Sequence, residues 1–203
     1  VAYELGVRNQ FTSDDVLTIT AYYKNIYDYV ATKSILINSG RLLGQSFITY
    51  FNQDYARSRG IEVEYKKRIS GWFNGKFNFT YSVATGKSSS ADQGFLVATT
   101  GASETISELF LSWDKPLQAS ANLYFNLEKG KGLFGFGRNV LDDISLKTRI
   151  FFQSGKRYTR QIQTGTLENG RPEFTSDLNN INGEIGENWF WVDLDIDKYI
   201  NIG

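Results

Sequence analysis

The chain has 203 residues, with 22 basic and 22 acidic side chains and neither Cys nor His. Balanced charge argues against nucleic acid or another polyanion as a partner, and the missing residue types exclude disulfides, thiol and imidazole catalysis and the commonest zinc sites. Aromatic residues make up 15% of the chain, with 19 Gly and only two Pro, a mixture that favours an all-β fold.

Read in chain order, seven segments alternate apolar and polar residues with the two-residue period of a β-strand. The first, roughly residues 2–11, sets Tyr3, Leu5, Val7 and Phe11 against Glu4, Arg8 and Gln10. "TSDD" turns the chain into the second, about Val16 to Tyr29, where Leu17, Ile19, Ala21 and Tyr23 oppose Thr18, Thr20, Tyr22 and Lys24. The third, "RGIEVEYKKRIS", puts Ile61, Val63 and Tyr65 on one parity and Glu62, Glu64, Lys66 and Arg68 on the other. "SGW" returns the chain into the fourth, about Phe73 to Ala84. There Phe77, Phe79, Tyr81 and Val83 oppose Lys76, Asn78, Thr80 and Ser82. The fifth starts at Leu117, with Leu123 and Phe125 against Asn122 and Asn126. The sixth, from Ile144, sets Leu146, Ile150 and Phe152 against Lys147, Arg149 and Gln153. The last opposes Phe190, Val192, Leu194 and Ile196 to Asp193, Asp195 and Asp197.

Connections alternate as well. Short or moderate turns are expected near residues 12–15, 70–72 and 129–142, and long polar loops near 30–54, 86–116 and 155–188. Within the second long loop, Ile106, Leu109, Phe110 and Trp113 have helical spacing. Thr105 and Glu108 form a capping box and Pro116 a stop, so a short helix is expected over Thr105 to Trp113. Long loops on every second connection are unusual in a soluble meander. They match outer-membrane barrels, which join strands of about ten residues by short turns at one end and long loops at the other. On that reading the apolar parity (Phe77, Phe79, Tyr81, Leu123, Phe125, Ile150 and Val192) faces lipid. The polar parity (Glu62, Glu64, Lys66, Arg68, Lys76, Asn78, Lys147, Arg149, Asp193, Asp195 and Asp197) faces the lumen. Aromatic residues near segment ends, Tyr27 and Tyr29, Trp72 and Phe73, and Trp189 to Trp191, fit interfacial girdles. No apolar run approaches the length of a transmembrane helix. No signal peptide is visible and the last strand is still running at the final residue, so a piece of a longer protein is expected.

The stretch "DYARSRGIEVEYKKRISGWFNGKFNFTYSVATGKS" resembles a strand pair late in the barrels of TonB-dependent outer-membrane receptors. In that family an Asn/Asp-x-Ala-x-x-x-Gly-Ile/Val-Glu strand turns into a Tyr-Thr-Tyr strand; Asp54 to Glu64 and Phe79 to Ala84 carry the pattern. "FFQSGKRYT" is similar to the family's Ser-Gly-x-x-Tyr-Thr strand end, and "WVDLDIDKYINIG" to its Val-Asp-Leu-x-Ile/Val-x-Lys strand. "WDKPLQ" resembles a further strand start, with Leu117 where the family usually has His. The resemblance implies an all-β, antiparallel, up-and-down transmembrane barrel of 22 strands closed by a plug. Residues 1–203 would then be a partial barrel domain without the plug or the first strands. It further implies TonB-energised uptake of a scarce nutrient, such as a siderophore or oligosaccharide, in the bacterial outer membrane. Lipid, the TonB complex (through the plug) and the ligand would be the partners, with no cofactor and no enzymatic activity. A passive outer-membrane channel and a soluble all-β carbohydrate-binding module are the alternatives.

Three sharper motifs reduce to simpler readings. "TGKS" at Thr85 to Ser88 has Tyr81 where a phosphate loop needs Gly. Asp193, Asp195 and Asp197 resemble the start of a calcium loop, but Lys198 stands at its required Gly, and strand alternation accounts for the spacing. Glu62 and Glu64 sit at roughly the separation of an inverting glycosidase pair, yet no sugar cleft accompanies them and Lys66 and Arg68 offer pairing.

Overall fold

The computed structural model describes residues 1–70, 72–87, 108–128, 134–135, 138–139, 143–177 and 179–200. The seven alternating segments form one antiparallel sheet. Its long strands are β1 (Ala2–Gln10), β2 (Asp15–Leu36), β3 (Ser46–Ser70) and β4 (Phe73–Gly86), with a two-residue β5 (Leu109–Phe110) beside β4, and then β6 (Leu117–Leu127). Two short pieces, β7 (Phe134–Gly135) and β8 (Arg138–Asn139), pair with each other before β9 (Ile144–Gln153). The segment after β9 carries two small ribbons. β10 (Arg157–Tyr158) pairs with β13 (Glu184–Ile185), and β11 (Gln161–Thr166) pairs with β12 (Pro172–Ser176). β14 (Trp189–Lys198) then returns against β9.

The spatial order is β1-β2-β3-β4-β6-β9-β14, so each long strand lies beside the long strand next to it along the chain. β1 and β14 are the two edges and do not pair with each other, and every residue of both is exposed. An up-and-down sheet with two open edges is part of a larger barrel rather than a closed one.

Two sequence expectations need correction. The loop expected near 30–54 is mostly strand. β2 runs on to Leu36 and β3 begins at Ser46, leaving residues 37–45, with a 3₁₀ turn at Gly40–Leu42, as the connection. The alternation hides this because the ladder shifts register between Ile26 and Val30, where Asp28 adopts φ 58°. A bulge there breaks the period without ending the pairing. The helix expected over Thr105 to Trp113 is absent where it can be seen. Leu109 and Phe110 are strand, paired with Gly86 and Thr85, while residues 105–107 lie outside the described residues.

Gly60, within the motif that carried the family resemblance, is fixed by close approach. A Cβ there would strike the Tyr81 carbonyl and come 2.9 Å from the Tyr22 hydroxyl. The Tyr22 ring, opposite Gly60 in register, covers the gap and supplies the packing surface that glycine lacks.

Burial is sparse. Among the described residues the buried apolar side chains are Val16, Ala31, Ala56, Ala84 and Leu111, and only the last three form a cluster. A soluble domain of this size would bury many large side chains. Here Phe77, Tyr81 and Ile61, all on interior strands, keep 40%, 46% and 46% of their surface. No second sheet among the described residues covers the apolar face, which removes the sandwich expected of a soluble module.

Candidate functional site

Because side-chain direction has period two, the register fixes which residues share a face across the whole sheet. One row of paired residues reads Val7, Ile19, Val63, Phe79, Ala119, Phe152, Phe190. Leu17, Ile61, Phe77, Tyr81, Leu123, Phe125, Ile150 and Val192 have the same parity and share that face. The opposite face carries the row Arg8, Thr18, Glu64, Asn78, Ser120, Phe151, Trp191. A second row there holds Glu62 beside Thr80, and a third runs from Lys66 and Lys76 through Asn122 to Arg149 and Asp193. Lys147 pairs in register with Asp195, Ser145 pairs with Asp197, and Arg68 follows on the parity of Lys66 beyond the last regular pair.

The polar face holds its charges in small networks. Lys66 and Lys76 stand directly opposite each other, an arrangement that is repulsive by itself. Glu64 relieves it by reaching both ammonium groups at 2.7 Å. Lys147 plays the converse part, 3.6 Å from Asp195 and 3.3 Å from Asp197. The pairing offered to Glu62 by Lys66 and Arg68 is not found; among the described residues Glu62, Arg68, Arg149 and Asp193 make no ion pair. Arg149 and Asp193 are neighbours in register without contact between their charged groups. A depression of about 320 Å³ lies over this face, lined by Thr18, Thr20, Glu62, Glu64, Asn78 and Thr80 among others. Its mix of hydroxyl, amide and carboxylate groups suits hydrated solutes.

The long-loop end is organised by a buried ion pair. Asp114 is 1% exposed, and its Oδ1 accepts the Ala84 N–H at 2.9 Å. Its Oδ2 accepts the Arg157 Nε–H at 2.7 Å, and the Arg157 side chain is itself only 9% exposed. The Arg157 guanidinium lies 3.6 Å from the Phe110 ring centroid and donates through Nη1 to the Gly183 carbonyl at 3.3 Å. Asn182 Nδ2 donates to the Phe110 carbonyl at 2.8 Å. Two connections, 111–116 and 154–188, are thus tied to each other and to β4. Just before β5, Glu108 takes Arg57 of β3 at 2.6 Å and also accepts the Thr85 hydroxyl of β4.

At the short-turn end the apolar face carries aromatic rings. Phe73 and Phe125 are opposite in register with centroids 4.8 Å apart, and Trp72 lies 5.7 Å from Phe125. Beside them the Tyr65 hydroxyl donates to Asp15 at 2.6 Å, and Lys67 lies 3.1 Å from the same carboxylate. The girdle expected on the last strand is corrected by parity. Phe190 alone shares the apolar face, whereas Trp189 and Trp191 stand with Asp193 on the polar one.

Sheet order, parity and the uncovered apolar face all describe one sector of a membrane barrel, and the sequence matches a family of such barrels. The model of the β-barrel of TonB-dependent receptor-like proteins covers residues 1–199. The chain belongs to the TonB-dependent receptor β-barrel family. Solved structures agree on the fold of this receptor segment. The outer-membrane transporter YddB from Escherichia coli superposes with a TM-score of 0.59 at 10% identity, over 96% of this chain and 25% of that one. FpvA of P. aeruginosa, solved with a heterologous pyoverdine and iron, gives 0.50 at 12% identity, over 96% of this chain and 20% of that one. A comparison with curated protein sequences finds no match. The receptor segment therefore spans about a quarter of the first transporter it matches (25%). Receptors of this family are outer-membrane proteins of nutrient transport.

The Asp114–Arg157 pair was not foreseen in the sequence. Its members are 43 residues apart, and neither stands in an alternating segment. The only signal is the placement of an Asp just before β6 and an Arg just after β9, which register brings to the same end of the sheet.

Proposed function

We propose that this chain forms a lumen-lining sector of an outer-membrane receptor that imports a scarce nutrient, such as a siderophore or oligosaccharide, with energy supplied through TonB. The observation that carries the reading is the pairing of two opposite faces on one sheet with little buried between layers among the described residues. The apolar face, with Phe77, Phe79, Tyr81, Leu123, Phe125, Ile150 and Val192, meets lipid. The polar face, with Glu62, Glu64, Lys66, Arg68, Lys76, Asn78, Lys147, Arg149, Asp193, Asp195 and Asp197, lines the path. Hydrocarbon tolerates a strand only if its backbone is paired and its outward side chains are apolar. A plug elsewhere in the receptor would couple to TonB, and the tied outer connections would receive the ligand. No catalytic step is assigned.

Site-directed labelling tests the two faces directly, because this chain contains no Cys of its own. In the intact receptor in native outer membranes, a Cys at Thr80 should react with a water-soluble maleimide. A Cys at Phe79 should react only with a lipid-soluble one. Equal reaction at both positions with the water-soluble reagent would refute the lipid face. The energised import is tested by mass spectrometry of siderophores and oligosaccharides removed from medium by cells carrying the receptor. Removal should stop when TonB is deleted, and removal that continues would refute energisation.

A further inference from the structure

Trp189 and Trp191 call for an explanation, since parity takes them out of any lipid-facing belt. Trp191 lies stacked on Phe151, with centroids 5.5 Å apart and planes at 23°. One step toward the long-loop end, Trp189 stands on the same face of β14. It borders a pocket of about 480 Å³ lined also by Lys115, Gln153, Lys156 and Glu187. That volume is within the range of small-molecule sites.

The pocket is built by structure already described. Lys115 follows Asp114 and Lys156 precedes Arg157, so the buried ion pair fixes the backbone at both lysines. Gly155 backs directly onto Gly186, where any Cβ would collide with main-chain atoms. The Gly186 N–H donates to the Lys156 carbonyl at 2.9 Å. Lys115 Nζ donates to Gln153 Oε1 at 2.8 Å. Among the described residues, neither the Lys156 ammonium nor the Glu187 carboxylate has an ion-pair partner.

We infer that this pocket binds an acidic sugar. The indole of Trp189 offers a flat apolar surface for one face of a pyranose ring, with little conformational entropy to lose. Lys115 and Lys156 supply the charge-assisted bonds for a carboxylate. Glu187 accepts hydroxyl protons and Gln153 exchanges hydrogen bonds with them. Two cations against one carboxylate favour a monoanion, and Glu187 opposes a ligand dense in negative charge. A flat anion without hydroxyls would leave Glu187 and Gln153 desolvated and unmatched, which disfavours it. The inference rests on the import reading only in placing this pocket at the outer end of the path; binding itself requires no energy coupling.

Calorimetry on the intact receptor, purified in detergent, tests it with a glucuronate-containing disaccharide and its neutral glucose counterpart. The acidic sugar should bind at least tenfold more tightly. Lys115→Gln and Lys156→Gln together should abolish that preference, and Trp189→Ala should weaken both sugars alike and leave their ratio intact. Each variant is checked for a folded barrel by its heat-dependent migration on gels. Equal binding of the two sugars, no binding of either to folded receptor, or a preference that survives loss of both lysines would overturn the inference. Because the assay contains no TonB, these outcomes are independent of the uptake experiment.

Discussion

Replacing Asp114 by Ala should free the long-loop end while leaving the sheet standing. The substitution removes two acceptors at once. The Ala84 N–H, bonded at 2.9 Å, loses its partner, and so does the Arg157 Nε–H, bonded at 2.7 Å in a side chain only 9% exposed. A buried donor left unpaired costs about 1–3 kcal/mol, and a buried charge stripped of its partner costs about 3–5 kcal/mol. The two penalties overlap, because Arg157 can swing toward water once released. A net local loss of about 3 kcal/mol is therefore expected, roughly a hundredfold in the opening equilibrium. Local opening exposes the connection without unfolding the ladder, since β4, β6 and β9 keep their own pairing. The assay is hydrogen exchange with mass spectrometry on the intact receptor, following peptides from 154–188 beside peptides from β4 and β6. Exchange should rise about a hundredfold in the connection and stay unchanged in the strands. Asp114→Asn keeps an oxygen for the Ala84 N–H but gives up the charge, so it should fall between. Protection of 154–188 unaltered in Asp114→Ala would refute the latch.

Two further outcomes test the faces and the motif glycine. Phe79→Arg should cost about 2–4 kcal/mol, as a cation placed on the lipid face near mid-bilayer. Thr80→Arg, opposite Glu62 on the other face, should cost far less; reversible unfolding of the intact receptor in lipid vesicles checks both, and equal losses would deny the strand a lipid face. Gly60→Ala drives a Cβ into the Tyr81 carbonyl and against the Tyr22 hydroxyl, so the same unfolding measurement should show a loss of about 1–3 kcal/mol; unchanged stability would mean that the motif Gly is not fixed by packing.

What could be read from sequence follows from which interactions are local. Strand parity is a property of neighbouring residues, and it located every long strand and divided Phe79 from Glu64 without knowledge of the partner strand. It failed where the backbone departs from period two. The register shift near Asp28 disguised the upper part of the β2–β3 hairpin as a loop. The helical spacing of Leu109, Phe110 and Trp113 was real, but Phe110 found a better arrangement in the ladder beside Thr85 and under the Arg157 guanidinium. Nearness to a strand end suggested a girdle for Trp189 and Trp191, whereas parity alone decides the side on which they stand. The contacts between connections, Asp114 with Arg157 and Asn182 with Phe110, span 43 and 72 residues and leave no periodic trace.

The succession of neighbours in the sheet also sets how it can assemble. Each long strand needs only the strand before it, so growth proceeds by adding one arm of a hairpin to an edge that is already in place. The entropy of closing each step depends on the length of a single connection. The β1–β2 and β3–β4 hairpins close over a few residues and are favoured early. β14 must return across 154–188, a longer closure that the ribbons and the Asp114–Arg157 pair shorten by folding the intervening chain on itself. At every stage one edge is newly made and β1 still waits. Such a sheet is complete in its order of pairing long before it is complete as a wall.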